Sequence, residues 1–265
     1  MPPHDTAGGG RRKRPFPAAF CSQKPLFFQN GTCYTQIKWM RLPRREEAAE
    51  KNEVFCMIIQ NALVYTPRHT FERGTIIIRD GRIVPFAAPE EGEEVLDAEG
   101  LYALPGLVDI HFHGAMGKDF CDGTEEAIQT LADFEASKGV LAICPATMTY
   151  PEEFLNHVMD AAAAHKNGKG ADLVGINMEG PFISPKKVGA QNPEYVQGAD
   201  AGMFRRLQKR AGGLIKLVDV APEEPGNLDF IKECHNEVRI SIAHTCTDYD
   251  TAVQAFEAGA THMTH

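Results

Sequence analysis

The stretch Leu104-Pro105-Gly106-Leu107-Val108-Asp109-Ile110-His111-Phe112-His113-Gly114 decides how the chain is read. Leu107 to Ile110 is a short apolar run that reads as a strand buried on both faces, entered through the turn residues Pro105-Gly106. It ends in His-Phe-His-Gly. In an extended segment residues i and i+2 share a side, so His111 and His113 project together and Phe112 points away. Two neutral imidazoles side by side suit a divalent metal. Taken alone, the pair reads more often as two core histidines satisfied by carbonyls. The residues downstream change that balance.

After Pro105, strand patterns at 107–113, 140–147, 173–179, 215–221, 239–244 and 262–265 alternate with helical patterns at 125–137, 151–165, 200–210, 227–234 and 248–258. Glycines follow several of the helices, as in Lys138-Gly139 and Ala258-Gly259. This alternation implies a parallel sheet, and the Val/Ile/Ala-rich strands imply burial on both faces. The expected fold class is α/β, an incomplete TIM (β/α)8 barrel of about six βα units. An open doubly wound sheet is the alternative, but no Gly-rich phosphate loop follows the first strand. Upstream, 57–65 reads as a strand, 74–84 as a hairpin turning at Asp80-Gly81, and 94–102 as a further short pair. Together they make a small β unit. The expected divisions are residues 1–56 as an extension, 57–104 as the small β unit, and 105–265 as the incomplete barrel.

In a barrel of this kind the chemistry collects at the C-terminal ends of the strands. Those ends carry His111 and His113, then Glu179, His244 and His265. Glu179 alone could pair with a base, and His244 alone could be a core imidazole. Together, four histidines and a glutamate at one rim are the ligand types of Zn²⁺ or a similar ion. His235 and His262 fall off this pattern, while His69, His157 and His165 read as surface residues.

The bulk composition narrows the class. At 43% hydrophobic and 24% charged residues the chain is of the globular type. No apolar run is long enough to span a bilayer, and a net charge of −9 argues against nucleic acid as the main partner. Seven scattered cysteines without a CxxC read as reduced thiols of a cytoplasmic protein. Residues 1–56 are basic, with Arg11-Arg12-Lys13-Arg14 and Arg44-Arg45, and show no sustained period; the rest of the chain is acidic. A secretory signal lacks its apolar core here, and a transit peptide lacks its amphipathic helix. The favoured reading is a solvated extension ahead of a natural start at Met57.

Asp109-Ile110-His111-Phe112-His113-Gly114, following a small β unit with an Asp-Gly-Arg-Ile hairpin, resembles the amidohydrolase superfamily. Within it, the run from Asn177-Met178-Glu179-Gly180-Pro181-Phe182 to Gly189-Ala190-Gln191-Asn192-Pro193 is similar to the N-acetylglucosamine-6-phosphate deacetylases. So are Ile242-Ala243-His244-Thr245 and Thr261-His262-Met263-Thr264-His265. The likeness runs from about Met57 to the last residue.

The resemblance implies a β-sandwich plus TIM barrel that hydrolyses N-acetylglucosamine 6-phosphate to glucosamine 6-phosphate and acetate in amino-sugar catabolism. It implies Glu179, His244 and His265 as ligands of the main divalent metal, with Zn²⁺ first and Fe²⁺ or another ion as alternatives. Glu179 stands where most of the superfamily has a bridging modified lysine, and His111 and His113 add a second ion. The loop after Glu179 crosses the substrate, so Ala190 and Gln191 are implied substrate contacts; some members carry a sugar-binding histidine at the position of Gln191. The implied partners are a small phosphorylated amino sugar and, in the full-length form, a second copy in a homodimer. The catalytic aspartate of these enzymes falls beyond His265, as do an Asn-Ala pair, an arginine and the last two barrel strands. The 265-residue chain is therefore expected to expose two strand edges and apolar faces, to fold poorly alone and to show little activity. Two other readings stand beside this one. A dihydropyrimidinase-like or adenine-deaminase-like hydrolase needs a bridging lysine on the fourth strand, where Lys216 sits at the wrong end. A non-catalytic or split-half fragment would bind the metal without turnover.

Overall fold

A computed structural model describes residues 56–79, 82–85 and 93–265. The expectations for residues 1–55 and for the Asp80-Gly81 turn fall outside the described residues.

The upstream unit is a five-stranded sheet built on one long strand, β1 (Cys56–Tyr65). Antiparallel β2 (Phe71–Arg79) places Met57 opposite Ile78 and Ile58 opposite Ile77, and these four are buried. The register shifts between Ile59 and Ala62, where Asn61 takes φ 62°. Asparagine tolerates that left-handed geometry better than most residues, and its amide donates to Asp97 Oδ1 at 3.0 Å. β3 (Arg82–Val84) pairs with β2 as expected for the hairpin, with Arg79 opposite Arg82. The expected pairing within 94–102 does not form. Instead β4 (Glu94–Asp97) and β5 (Tyr102–Ala103) lie in tandem along β1, both parallel to it. The physical reason is the bulge: it divides ten-residue β1 into two edges of different register, and each short strand takes one.

From Leu107 onward six strand positions run parallel in sequence order. β6 (Leu107–Asp109), β9 (Val140–Ile143) and β10 (Asp172–Leu173) form one ladder. The other is β11 (Ile176–Met178), β12 (Ile215–Val220), β13 (Arg239–Ile242) and β14 (His262–Met263). A bridge from Ala146 to Asn177 joins the two. A small antiparallel ribbon, β7 (Gly114–Ala115) with β8 (Lys118–Asp119), follows β6. Among the described residues β14 does not pair with β6. The strand expected at 173–179 is thus two strands. Its break falls at Gly175, where a Cβ would come within 2.6 Å of the Lys216 side chain and 3.0 Å of Cys144 Sγ. Glycine lets the backbone between β10 and β11 pass Cys144 and Lys216 at that closeness.

Burial on both faces holds for β11 and most of β12 and β13, but not for β6, where Leu107 is 48% and Val108 58% exposed. Among the described residues β6 has a strand neighbour on one side only, so the apolar run at 107–110 lies at an edge. The helices are α1 (Glu125–Ser137), α2 (Glu152–Ala164), α3 (Ala201–Arg210), α4 (Asn227–Cys234) and α5 (Tyr249–Ala258). They pack Leu131, Leu155, Met159, Phe204, Leu207 and Ile231 against Ile143, Ile176, Val218 and Ile240 of the strands in one core. Their outer faces carry cross-helix ion pairs, Arg210 with Asp160 and Arg206 with Glu152. Such exposed pairs contribute little. No described helix is long and apolar enough to cross a membrane.

The helix starts are set by side-chain caps. Asp200 accepts from Gly202 N at 2.7 Å and Met203 N at 3.1 Å. These are two of the amide donors that the first turn of α3 leaves without an intrahelical partner. Asp200→Ala is expected to lower the unfolding free energy by about 1 kcal/mol, read from urea denaturation. A loss indistinguishable from zero would mean that the cap does not hold this helix.

Candidate metal centre

Every strand in the parallel array stops short of its sequence-expected end, and the residues left over form the rim. β6 ends at Asp109 because the Asp109 carboxylate turns back to accept from His111 N at 2.9 Å, an Asx turn in place of ladder pairing. Although the segment is no longer a strand, His111 and His113 still reach one target together. Phe112 packs on the core.

That target is Glu179, one residue beyond β11 and 1% exposed. Its Oε1 lies 3.0 Å from His244 Nε2, 3.0 Å from His265 Nε2 and 3.5 Å from His111 Nε2. Its Oε2 lies 3.1 Å from His113 Nε2 and accepts from Gln191 Nε2 at 2.6 Å. All five residues expected at the rim therefore come together. Burial pushes the Glu179 carboxyl up, but hydrogen bonds from His113 and His265 and the nearby imidazoles outweigh it and hold the group at about 2. Burial lowers the His111 pKa, while the hydrogen bond to Glu179 raises that of His113.

The tautomers indicate what the cluster is built to hold. His244 Nδ1 lies 2.8 Å from the Lys187 carbonyl, which can only accept, so in the neutral ring Nδ1 carries the proton and Nε2 keeps its lone pair. That lone pair faces a carboxylate oxygen, which repels it unless a cation lies between them. Three imidazole nitrogens also crowd Oε1, more than the two lone pairs of one carboxylate oxygen accommodate. His111, Glu179 and His265 present ligand atoms within 4.8 Å of one another. Nitrogen and carboxylate donors around a buried anion fit a divalent cation of the zinc type.

The loop leaving Glu179 locks this geometry. Ser184 N donates to the His244 carbonyl at 3.0 Å, which helps hold His244 in a left-handed conformation, φ 45°, that a non-glycine residue rarely adopts. On the opposite side the Asn177 amide lies 2.9 Å from His111 Nδ1. Asp219, buried beneath the centre, accepts from Thr264 Oγ1 at 2.8 Å and so anchors the residue before His265. Burial, reinforced by the Glu179 charge and opposed by the bonds to Thr264 and Ser241, raises its carboxyl to about 7.

Ala190 is exposed on the loop. The side chain of Gln191 instead turns inward, 5% exposed, with its Oε1 accepting from Thr149 N at 2.5 Å. Asn177, the Lys187 carbonyl and Thr149 were not anticipated. For Asn177 a signal existed, because it sits two residues before Glu179 and shares its side of the strand. His165 departs from its expected surface position: its side chain is 1% exposed and pairs through Nδ1 with Glu125 at 3.1 Å.

Comparison with known proteins gives this geometry a context. Over 219 residues the chain is 33% identical to the N-acetylglucosamine-6-phosphate deacetylase of Bacillus subtilis, covering 79% of this chain and 55% of that protein. It is 30% identical to the human protein of the same name, covering 73% and 50%. A Mycobacterium smegmatis N-acetyl-D-glucosamine-6-phosphate deacetylase variant, solved in complex with N-acetyl-D-glucosamine-6-phosphate, superposes with a TM-score of 0.69 at 28% identity, covering 79% of this chain and 55% of that one. The chain spans about half the length of the curated relatives it matches. The model of the amidohydrolase family matches residues 102–265, which takes in all six parallel strand positions and the whole of the rim. On that match, the chain belongs to the amidohydrolase family.

Proposed function

We propose that the chain serves a metal-dependent deacetylase that hydrolyses N-acetylglucosamine 6-phosphate to glucosamine 6-phosphate and acetate. The observation that carries this reading is the convergence of His111, His113, His244 and His265 on the buried carboxylate of Glu179, in a chain whose relatives bear that enzyme's name. In this reading residues 105–265 are six βα units of a TIM barrel, residues 57–104 belong to a β-sandwich, and residues 1–56 are an extension. Glu179, His244 and His265 hold the main ion, Zn²⁺ in the first instance, and His111 with His113 takes a second. Cytoplasmic location and a homodimer of the full-length form belong to the same reading.

A bound divalent ion supplies a water of lowered pKa and a polarised amide carbonyl, which an unactivated acetamide needs for hydrolysis. The chain's own part is preorganisation. Glu179 stays anionic in a buried site, the Lys187 carbonyl fixes the His244 tautomer, and the Asn177 amide orients His111. Ala190 and Gln191, on the loop after Glu179, are the proposed substrate contacts. The reaction also needs a carboxylate that takes a proton from water and passes it to the leaving amine; none of these residues is assigned that role.

The test uses the 265-residue chain, assayed for bound metal by elemental analysis and for acetate release from N-acetylglucosamine 6-phosphate, before and after chelation. One to two equivalents of metal that chelation removes and Zn²⁺ restores is the expected result, with little or no acetate release, since none of the residues above is assigned the proton transfer. Acetate release on adding a separately made C-terminal piece of a relative would favour the deacetylase reading, and metal retention without release even then would favour a non-catalytic metal-binding fragment. A folded chain that retains no metal would overturn both.

A further inference from the structure

The loop after Glu179 brings Gln191 back to the centre, and its side chain turns inward. It is 5% exposed. Both ends of the amide are engaged inside: Nε2 donates to Glu179 Oε2 at 2.6 Å, and Oε1 accepts from Thr149 N at 2.5 Å. The bond to Thr149 orders the amide, because a backbone N–H can only donate and so fixes Oε1 toward it and Nε2 toward Glu179. Gln191 is therefore a relay from rigid backbone to the carboxylate on which the histidines converge.

The consequence follows from how the carboxylate is shared. His111, His244 and His265 all address Oε1, whereas His113 and Gln191 address Oε2. A carboxylate turns easily about its last side-chain bond. With Oε2 pinned to Thr149 through Gln191, rotation is blocked and Oε1 stays toward the three histidines. We infer that Gln191 is a positioning residue, which fixes the Glu179 carboxylate for a divalent cation. This inference rests on the metal-centre reading above.

The test is Co²⁺ binding to the full 265-residue chain, with the dissociation constant and the visible ligand-field bands as readouts. Gln191→Met keeps length and volume but removes both hydrogen bonds. Gln191→Asn keeps the amide but draws it back, so it cannot span Thr149 and Glu179 together. Both are expected to weaken Co²⁺ binding by ten- to a hundredfold, the range for residues that orient ligands, and to shift the bands, with far-UV circular dichroism unchanged. Parental affinity and bands in either folded variant would overturn the inference while leaving the metal centre standing. Failure of the parent chain itself to bind Co²⁺ would overturn both. Loss of folded circular dichroism in both variants would also overturn it, since a residue acting on Glu179 alone leaves the fold in place.

Discussion

Glu179→Gln is expected to abolish metal retention in a chain that still folds. Glutamine reproduces the shape of glutamate but carries no charge, and it replaces one acceptor oxygen with an N–H₂ that can only donate. In the parent, His113 and His265 help hold the carboxyl at about 2 despite burial, so the group is fully anionic at neutral pH. It is the common contact of four imidazoles, at 3.0–3.5 Å. Removing a residue that merely orients a ligand costs ten- to a hundredfold in affinity, so removing the shared anion is expected to cost more than about a hundredfold. The fold is spared because glutamine keeps the volume of the side chain and introduces no buried charge of its own. A pH signature accompanies the change. The folded pKa of Glu179 is depressed from its ordinary 4.5, so its contribution to stability is full above about pH 4.5 and is lost as pH falls toward 2. Glu179→Gln removes that part of the acid limb. A folded variant that keeps near-parental metal by elemental analysis would show that Glu179 is not a ligand.

Much of this was legible in the chain, and the parts that were not share a cause. The helix bounds 125–137 and 227–234 match the observed elements, because start and stop signals are local: the Thr124 side chain accepts from Ala127 N, and glycine follows at 139. The rim residues were legible because hydrophobic strands end visibly in polar residues. Strand ends were overestimated because residues such as Ile110 to His113 continue an apolar or extended pattern where only isolated bonds, such as Ala146 N to the Phe112 carbonyl, continue the pairing. The tandem placement of β4 and β5, the break at Gly175 and the exposed edge of β6 depend on what lies next to a strand, which the strand's own sequence does not record. The same holds at the site. That His244 is oriented by the Lys187 carbonyl has no signature in side chains at all, and the inward turn of Gln191 is set by the path of residues 180–191.

That path begins at Gly180, and Gly180→Ala is expected to be the most damaging single methyl that can be added near the centre. Gly180 has φ +73°, a left-handed conformation that costs an ordinary residue about 1–2 kcal/mol. An added Cβ would also overlap Thr149 Oγ1, and would lie 3.1 Å from the Thr149 Cβ and 3.3 Å from its Cα. Thr149 is 1% exposed and has no room to retreat, so overpacking adds about 1–3 kcal/mol. The expected total is about 2–5 kcal/mol in urea unfolding. The two components separate in a double-mutant cycle. Thr149→Ala removes the overlapping hydroxyl but not the backbone strain, so Gly180→Ala should be milder in that background by about 1–2 kcal/mol. An absence of coupling would place the whole cost in the backbone, and a total effect below about 0.5 kcal/mol, the scale of an ordinary surface substitution, would sink the steric argument. The same overlap has a functional arm, because Thr149 N is the donor that orders Gln191, and Gln191 in turn holds Glu179 Oε2. Pushing Thr149 aside therefore loosens the carboxylate one relay away, and Gly180→Ala should lose metal affinity at temperatures where it is still folded. Thr149→Ala alone keeps the backbone donor and should not.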